Sequence, residues 1–161
     1  MGCAFFVETG TFLGDMVAGV RGSFDQVISI ELDDDLYEQA RVRFQKDSAI
    51  RIIRGDSAEV LPEILSTLNA STLFWLDGHY SGPGTAMGRS VSPVMDELAA
   101  LLHHPVGNHV IMIDDARLFT ASDGYPELAE VMSLVAKLRP DMTTVVRDDI
   151  ISICPEMPPG A

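Results

Sequence analysis

Five short apolar runs, each closed by an acidic residue or a glycine and each followed by a helical segment, constrain this chain most strongly. They are Ala4–Val7, Gln26–Leu32, Ile50–Arg54, Ser71–Leu76 and Val110–Ile113. Runs this short, unbroken and rich in bulky side chains predict strands buried on both faces. Helices are predicted after them over Met16–Val20, Leu36–Gln45, Asp56–Leu68, Pro93–His103 and Pro126–Leu138. Such alternation implies a parallel sheet with helices on both faces. Right-handed crossovers then bring all five strand ends to one edge, where sheets of this kind bind ligands.

What gathers at that edge is polar and mostly acidic. The strand ends and the residues just after them supply Glu8, Gly10, Glu31, Asp56, Asp77, His79, Asp114 and Asp115. The first turn, Glu8-Thr9-Gly10-Thr11-Phe12-Leu13-Gly14, joins strand to helix through two glycines. A turn of this type aims backbone N–H groups at whatever lies above the strand end. Gly10 is expected to permit a tight turn and close ligand approach, and Gly14 to let the helix pack closely on the sheet. An ordinary strand-to-helix turn would use the same glycines, so the downstream acids carry the distinction. Glu31 follows Gly10 by 21 residues, near the ~20-residue offset at which an acid accepts hydrogen bonds from ribose hydroxyls. Asp56-Ser57-Ala58-Glu59 reads as a capping box for the third helix.

Two further strands, Thr143–Val146 and Ile150–Cys154, flank Arg147-Asp148-Asp149 closely enough to form a hairpin. No internal repeat, low-complexity segment or domain boundary interrupts the 161 residues, which read as one domain.

Composition narrows the partners. The formal net charge is −13, from 24 acidic and 11 basic side chains. That balance disfavours nucleic acid, whose binders carry a basic stripe, and anionic membrane surfaces alike. No apolar run approaches the roughly 20 residues that span a bilayer. The start lacks the basic and apolar segments of a signal peptide. Phe6 occupies the position where myristoylation wants Ser or Thr. Cys3 and Cys154 have no metal-ligand spacing, so free buried thiols in a reducing cytoplasm are expected.

Taken as a set, ETGTFLG, the acid in SIEL, GDSAEVLP, FWLDGHYSG and VIMIDDA resemble the class I S-adenosylmethionine-dependent methyltransferases. More narrowly, Asp77 with Asp114-Asp115 resembles the metal-dependent sugar O-methyltransferases of the macrocin type. The resemblance runs from about Phe5 to Cys154. It implies a Rossmann-like doubly wound sheet of about seven strands, mostly parallel, ending in a C-terminal antiparallel hairpin. The cofactor implied is S-adenosylmethionine, bound by Glu8, Thr9, Gly10, Gly14, Glu31, Asp56, Ser57 and Asp77. Within that set, Glu8 and the first turn would hold the methionine part, Glu31 the ribose and Asp56 the adenine amino group. The activity implied is O-methylation of a small hydroxylated acceptor, assisted by Mg²⁺ on Asp77, Asp114 and Asp115. Asp77 and His79 would be the catalytic pair, with His79 as general base.

Each position also has a plainer reading. Asp56 caps a helix, and one residue can cap and bind adenine together. Asp77 could orient backbone amides, and Asp114-Asp115 could simply begin a loop. Three carboxylates at one edge repel unless protons or a cation compensate, and oxygen-only ligands suit Mg²⁺. His79 could be polar surface, and His103, His104 and His109 around their turn are expected at the surface. Gly82-Pro83-Gly84 reads as a hinge or lid.

The chain opens almost at its first strand, so a domain without the helical segment that precedes it in the family is expected. Acceptor recognition then falls to the Ser81–Ser92 loop, the Leu118–Tyr125 loop or a partner subunit, which leaves a homo-oligomer open. Two other functions stay in play. A nicotinamide-dependent oxidoreductase shares the edge architecture, although Phe12 replaces the second glycine of G-x-G-x-x-G. The other is a domain that binds cofactor or partner without turnover.

Overall fold

The computed structural model describes residues 2–78 and 92–156. Seven strands form one sheet: β1 (Phe5–Thr9), β2 (Gln26–Glu31), β3 (Ile50–Arg54), β4 (Thr72–Leu76), β5 (Val110–Ile113), β6 (Met142–Arg147) and β7 (Ile150–Pro155). Their order is β3-β2-β1-β4-β5-β7-β6. The first five run parallel to one another, and β7 runs antiparallel to both β5 and β6. The chain thus winds outward from β1 to β3, then restarts at β4 on the other side of β1. That reversal is the switch point at which open α/β sheets form a ligand crevice.

Five α-helices connect the strands: α1 (Asp15–Val20), α2 (Asp34–Phe44), α3 (Ser57–Leu65), α4 (Val94–Leu102) and α5 (Leu128–Leu138). Boundaries move from the sequence reading where caps decide them. The α2 helix begins at Asp34 because the Asp33 carboxylate accepts from the amides of Asp35 and Leu36. The Asp56 carboxylate accepts from Ala58 and starts α3 at Ser57. Reciprocal capping by Glu127 and Glu130 opens α5 at Leu128. In the β6–β7 hairpin, Asp148 and Asp149 both take positive φ, of 52° and 66°, as the type I′ turns that match strand twist require.

The core has two parts, one on each face of the sheet. On one face, Val7, Ile28, Phe74, Ile111 and Ile153 of the strands meet Leu61 and Ile64 of α3, Leu98 and Leu101 of α4 and Val131 of α5. On the other, Phe6, Val17 and Val27 form a smaller cluster flanked by Val20, Phe44, Leu73 and Trp75. The inner strands β1 and β2 are therefore buried on both faces, as unbroken apolar runs predict. Burial alternates along β4, β5 and β7 instead.

Candidate functional site

The site is assembled at the carboxyl ends of β2, β1, β4 and β5. Gly10 takes φ +87°, and a Cβ there would lie 2.5 Å from the Asp77 carbonyl oxygen and 3.2 Å from Gly78 Cα. The close approach this glycine permits is thus to the backbone leaving β4. It lets the two strand ends at the switch point nearly touch. Gly14 takes φ +77°, and a Cβ there would meet Phe44 at 2.7 Å. It lets the start of α1 pack on the end of α2, whereas the sequence suggested packing on the sheet.

Glu31 holds the loop between these elements. Its Oε2 accepts from the Phe12 amide at 2.8 Å and its Oε1 from the Asp33 amide at 2.9 Å. Phe12 sits in the left-handed region at φ 49°, and its side chain is 52% exposed at the rim. A carboxylate has about four lone-pair sites, so two remain for hydroxyl donors.

Glu8 lies deeper, only 2% exposed. Ser29 Oγ donates to its Oε2 at 2.5 Å, and Thr11 Oγ1 lies 2.6 Å from Ser29 Oγ. Burial pushes Glu8 up to about 8; the Ser29 bond opposes this, and the fields of Asp77 and Glu31 add to it. At neutral pH it is mostly a neutral acid that ties β1 to β2 below the cleft.

Asp77 is likewise raised, to about 7, by burial first and then by Asp114 and Asp115, while a bond from Trp75 lowers it. Asp77 at the β4 end therefore feels both carboxylates at the β5 end. Asp115, itself at φ 58°, is ion-paired to Arg117 Nη1 at 2.6 Å, and the same guanidinium pairs with Asp149. Among the described residues, no three His, Cys, Asp or Glu side chains stand as a group that could hold a metal ion. The donors are nonetheless hard oxygens on neighbouring strand ends, the set that suits Mg²⁺. Arg117 holds one of them in another role. Tyr125, from the loop after β5, faces the same charges; burial, then Asp115 and Asp77, push its hydroxyl up to about 12.

Asp56 and Ser57 stand at the start of α3, beside the end of β4: a Cβ on Gly78 would meet Thr9 Oγ1 at 3.1 Å and Ser57 Oγ at 3.4 Å. The edge thus brings together Glu8, Thr9, Gly10, Glu31, Ser57, Asp77, Asp114 and Asp115 from four strands and a helix. His79, Tyr80, Gly82-Pro83-Gly84 and residues 81–91 of the acceptor loop lie outside the described residues. One group of consequence carried no motif: Glu97, an acid on α4 that is 2% exposed.

His109, expected at the surface, is 2% exposed instead. The Thr72 amide donates to its Nδ1 at 3.2 Å, and its Nε2 lies 2.8 Å from His104 Nδ1. His104 Nε2 in turn lies 2.9 Å from the Leu65 carbonyl oxygen. This fixes both tautomers at the sheet's opposite edge, away from the site. Cys3 and Cys154 are free and half-buried.

A seven-stranded sheet in this order, with β7 antiparallel between β5 and β6, is the fold of the class I S-adenosylmethionine-dependent methyltransferases. Among solved structures, the fold matches a methyltransferase of Podospora anserina bound to S-adenosylhomocysteine, with TM-score 0.64 and 17% identity over 96% of this chain and 72% of that one. It also matches the MycE methyltransferase of the mycinamycin pathway in complex with Mg, S-adenosylhomocysteine and mycinamycin VI, with TM-score 0.67 and 15% identity. That alignment covers 98% of this chain and 48% of MycE. A spermidine synthase of Thermotoga maritima shares the fold too, with TM-score 0.61 and 13% identity over 94% of this chain and 53% of that one. No protein-family model matches the chain, and no curated protein sequence does. These likenesses establish the fold, and the reaction lies in the residues of the site.

Proposed function

We propose that this chain is an S-adenosylmethionine-dependent methyltransferase that O-methylates a small hydroxylated acceptor with the help of a divalent cation. The observation that carries this reading is the meeting of Gly10, Glu31 and Ser57 with the Asp77, Asp114 and Asp115 carboxylates at one switch point. The ribose would rest on Glu31, the adenine beside Asp56 and Ser57, and the methionine part over Thr9 and Gly10, with Gly14 shaping the turn. Glu8 would act from beneath, holding β1 in register with β2.

Asp77, Asp114 and Asp115 would hold the cation, Mg²⁺ on the chemistry of the donors. When bound, such an ion lowers a hydroxyl's pKa and gives its oxygen a positive partner. For Asp115 to take part, it must exchange Arg117 for the ion. The chain's own contribution is then position: an acceptor oxygen set near the sulfonium methyl needs little else. Two residues after Asp77, His79 is the proposed general base for the hydroxyl proton. The acceptor loops and any partner subunit complete recognition, and a cytoplasmic setting without nucleic acid or membrane partners fits the charge of −13.

The nicotinamide reading is weaker on two observations. Phe12 occupies the second glycine position, and β7 intervenes between β5 and β6, where the dinucleotide fold runs 3-2-1-4-5-6. The test is methyl transfer from isotope-labelled S-adenosylmethionine to a panel of sugar, phenol and polyketide hydroxyls, with and without EDTA. Label in an ether product, lost with EDTA and restored by Mg²⁺, is expected. Tight nicotinamide binding seen by Trp75 fluorescence, with no response to S-adenosylhomocysteine, would refute the proposal.

A further inference from the structure

Helix α4 carries one acid into the core. The other buried positions of the helix are Val94, Leu98, Leu101 and Leu102, all aliphatic. Glu97 lies among them, beside the hydroxyls of Thr9 at the end of β1 and Ser57 at the start of α3. Those two hydroxyls also flank Gly78, where the chain leaves β4. Four segments far apart in sequence thus converge on one carboxyl.

The convergence is incomplete as hydrogen bonding. Glu97 Oε1 and Thr9 Oγ1 are both buried and make no hydrogen bond among the described residues. A cavity of about 10 Å³, lined in part by Gly78, Glu97 and Asp114, has room for about one water. Buried polar atoms are almost always paired, so exceptions call for an explanation other than stability. An aliphatic residue would fit this helix position more cheaply. Burial raises Glu97 to about 7; the Ser57 hydroxyl holds the rise back, as does the Thr9 hydroxyl, which lies close without completing a hydrogen bond, while Asp56 and Asp96 add to it. Near neutral pH it can therefore both donate and accept.

We propose that Glu97 is the positioning residue of the cofactor edge: its carboxyl sets the Thr9 and Ser57 hydroxyls from beneath and so fixes the ends of β1, β4 and α3 against the bound cofactor. The proposal rests on the methyltransferase reading for the identity of that cofactor. Glu97 itself touches neither cofactor nor acceptor. It acts through Thr9 and Ser57, and the two orphaned atoms mark the slack that cofactor binding takes up.

The test separates affinity from stability. S-adenosylhomocysteine binding is measured by calorimetry, and Tm by thermal unfolding, for the wild type, Glu97→Leu and Glu97→Gln. Glu97→Leu removes a costly buried carboxyl but leaves the Ser57 hydroxyl without its partner, so the two effects oppose and Tm should change little. The substitution should nevertheless weaken binding by at least about tenfold, while Glu97→Gln, which can still donate and accept, stays within about threefold. A folded Glu97→Leu protein that binds as tightly as the wild type would overturn the proposal and leave the methyltransferase reading standing. A wild type that binds no S-adenosylhomocysteine overturns both. If Glu97→Leu does not fold, Thr9→Val, Glu97→Met and the Thr9→Val/Glu97→Met pair decide the matter. Losses of affinity in the pair that fall short of additive support one shared network, and fully additive losses refute it.

Discussion

The Glu31 carboxylate accepts the Phe12 amide at 2.8 Å across 19 residues of sequence, and its second oxygen accepts the Asp33 amide. One acid at the end of β2 therefore holds the glycine turn after β1 and the start of its own helix. The proposed ribose ligand is also the brace of the loop that would cover the ribose.

Glu31→Ala should accordingly do two things. Each lost hydrogen bond to a charged group is worth about 1.5–3 kcal/mol, so binding of S-adenosylhomocysteine should fall at least about tenfold. The Phe12 loop should loosen as well, and hydrogen exchange at the Phe12 amide should accelerate. Calorimetry that finds unchanged affinity in a folded variant would remove Glu31 from the site.

Two glycines give opposite predictions. At Gly10 a methyl would strike the Asp77 carbonyl at 2.5 Å under a φ of +87°. Gly10→Ala should thus cost well over about 1 kcal/mol and pry β1 from β4 at the site. Gly19 lies inside α1, and a Cβ there meets nothing within 4 Å. Gly19→Ala should stabilise by about 0.5–1 kcal/mol and leave binding untouched. Urea titration of both variants checks the pair.

Stability should peak on the acid side of neutrality. Burial raises Glu8 from 4.5 to about 8 and Glu97 from 4.5 to about 7. A raised acid favours the fold at low pH, and that contribution is lost as pH climbs from 4.5 through 7 to 8. His109 is lowered from 6.5 to about 4, by burial first and then by His104 and Arg139. Its contribution is present above 6.5 and lost as pH falls toward 4. Between 4.5 and 6.5 the two raised acids, joined by Asp77 raised from 3.8 to about 7, outweigh the one lowered histidine, so Tm should be highest near 4.5 and fall as pH rises toward 8. Glu8→Gln should flatten the alkaline arm of the Tm profile; an unchanged arm would show that Glu8 is ionised in the fold.

Arg117 and a cation compete for Asp115. The Arg117 side chain is 62% exposed, so water screens its pair with Asp115 and leaves it weak. Arg117→Ala should thus lower the apparent Mg²⁺ constant for activity by roughly 1.5- to 5-fold. Asp115→Asn should abolish the Mg²⁺ response while sparing cofactor affinity. Activity that persists in EDTA, with elemental analysis showing no residual metal, would leave the three aspartates as structure only.

Much of this was open to reading from the chain. The β1–β5 runs, the acids at their ends and the Asp33 and Asp56 caps are local patterns, set by side-chain period and by hydrogen bonds within a few residues. The hairpin at Asp148-Asp149 was visible for the same reason. Glu97 was not. In VMDELAALL it reads as one more polar residue beside Asp96, and only the docking of α4 against α3 and the strand ends buries it. His109 misled in the same way: next to a turn it looked exposed, and its partners Thr72, His104 and Leu65 come from separate elements.

The sequence by itself determined which segments are strands, where each ends, and that the ends would be acidic. Those properties depend on neighbours within one or two turns of chain. The tertiary structure alone decided that Gly10 would face the backbone of Asp77, that Glu31 would brace Phe12, and that Glu97 would lie beneath Thr9 and Ser57. Those meetings depend on the order and register of strands whose paired residues, such as Phe5 and Thr72, lie 67 residues apart, which packing of the whole sheet selects and no local pattern encodes.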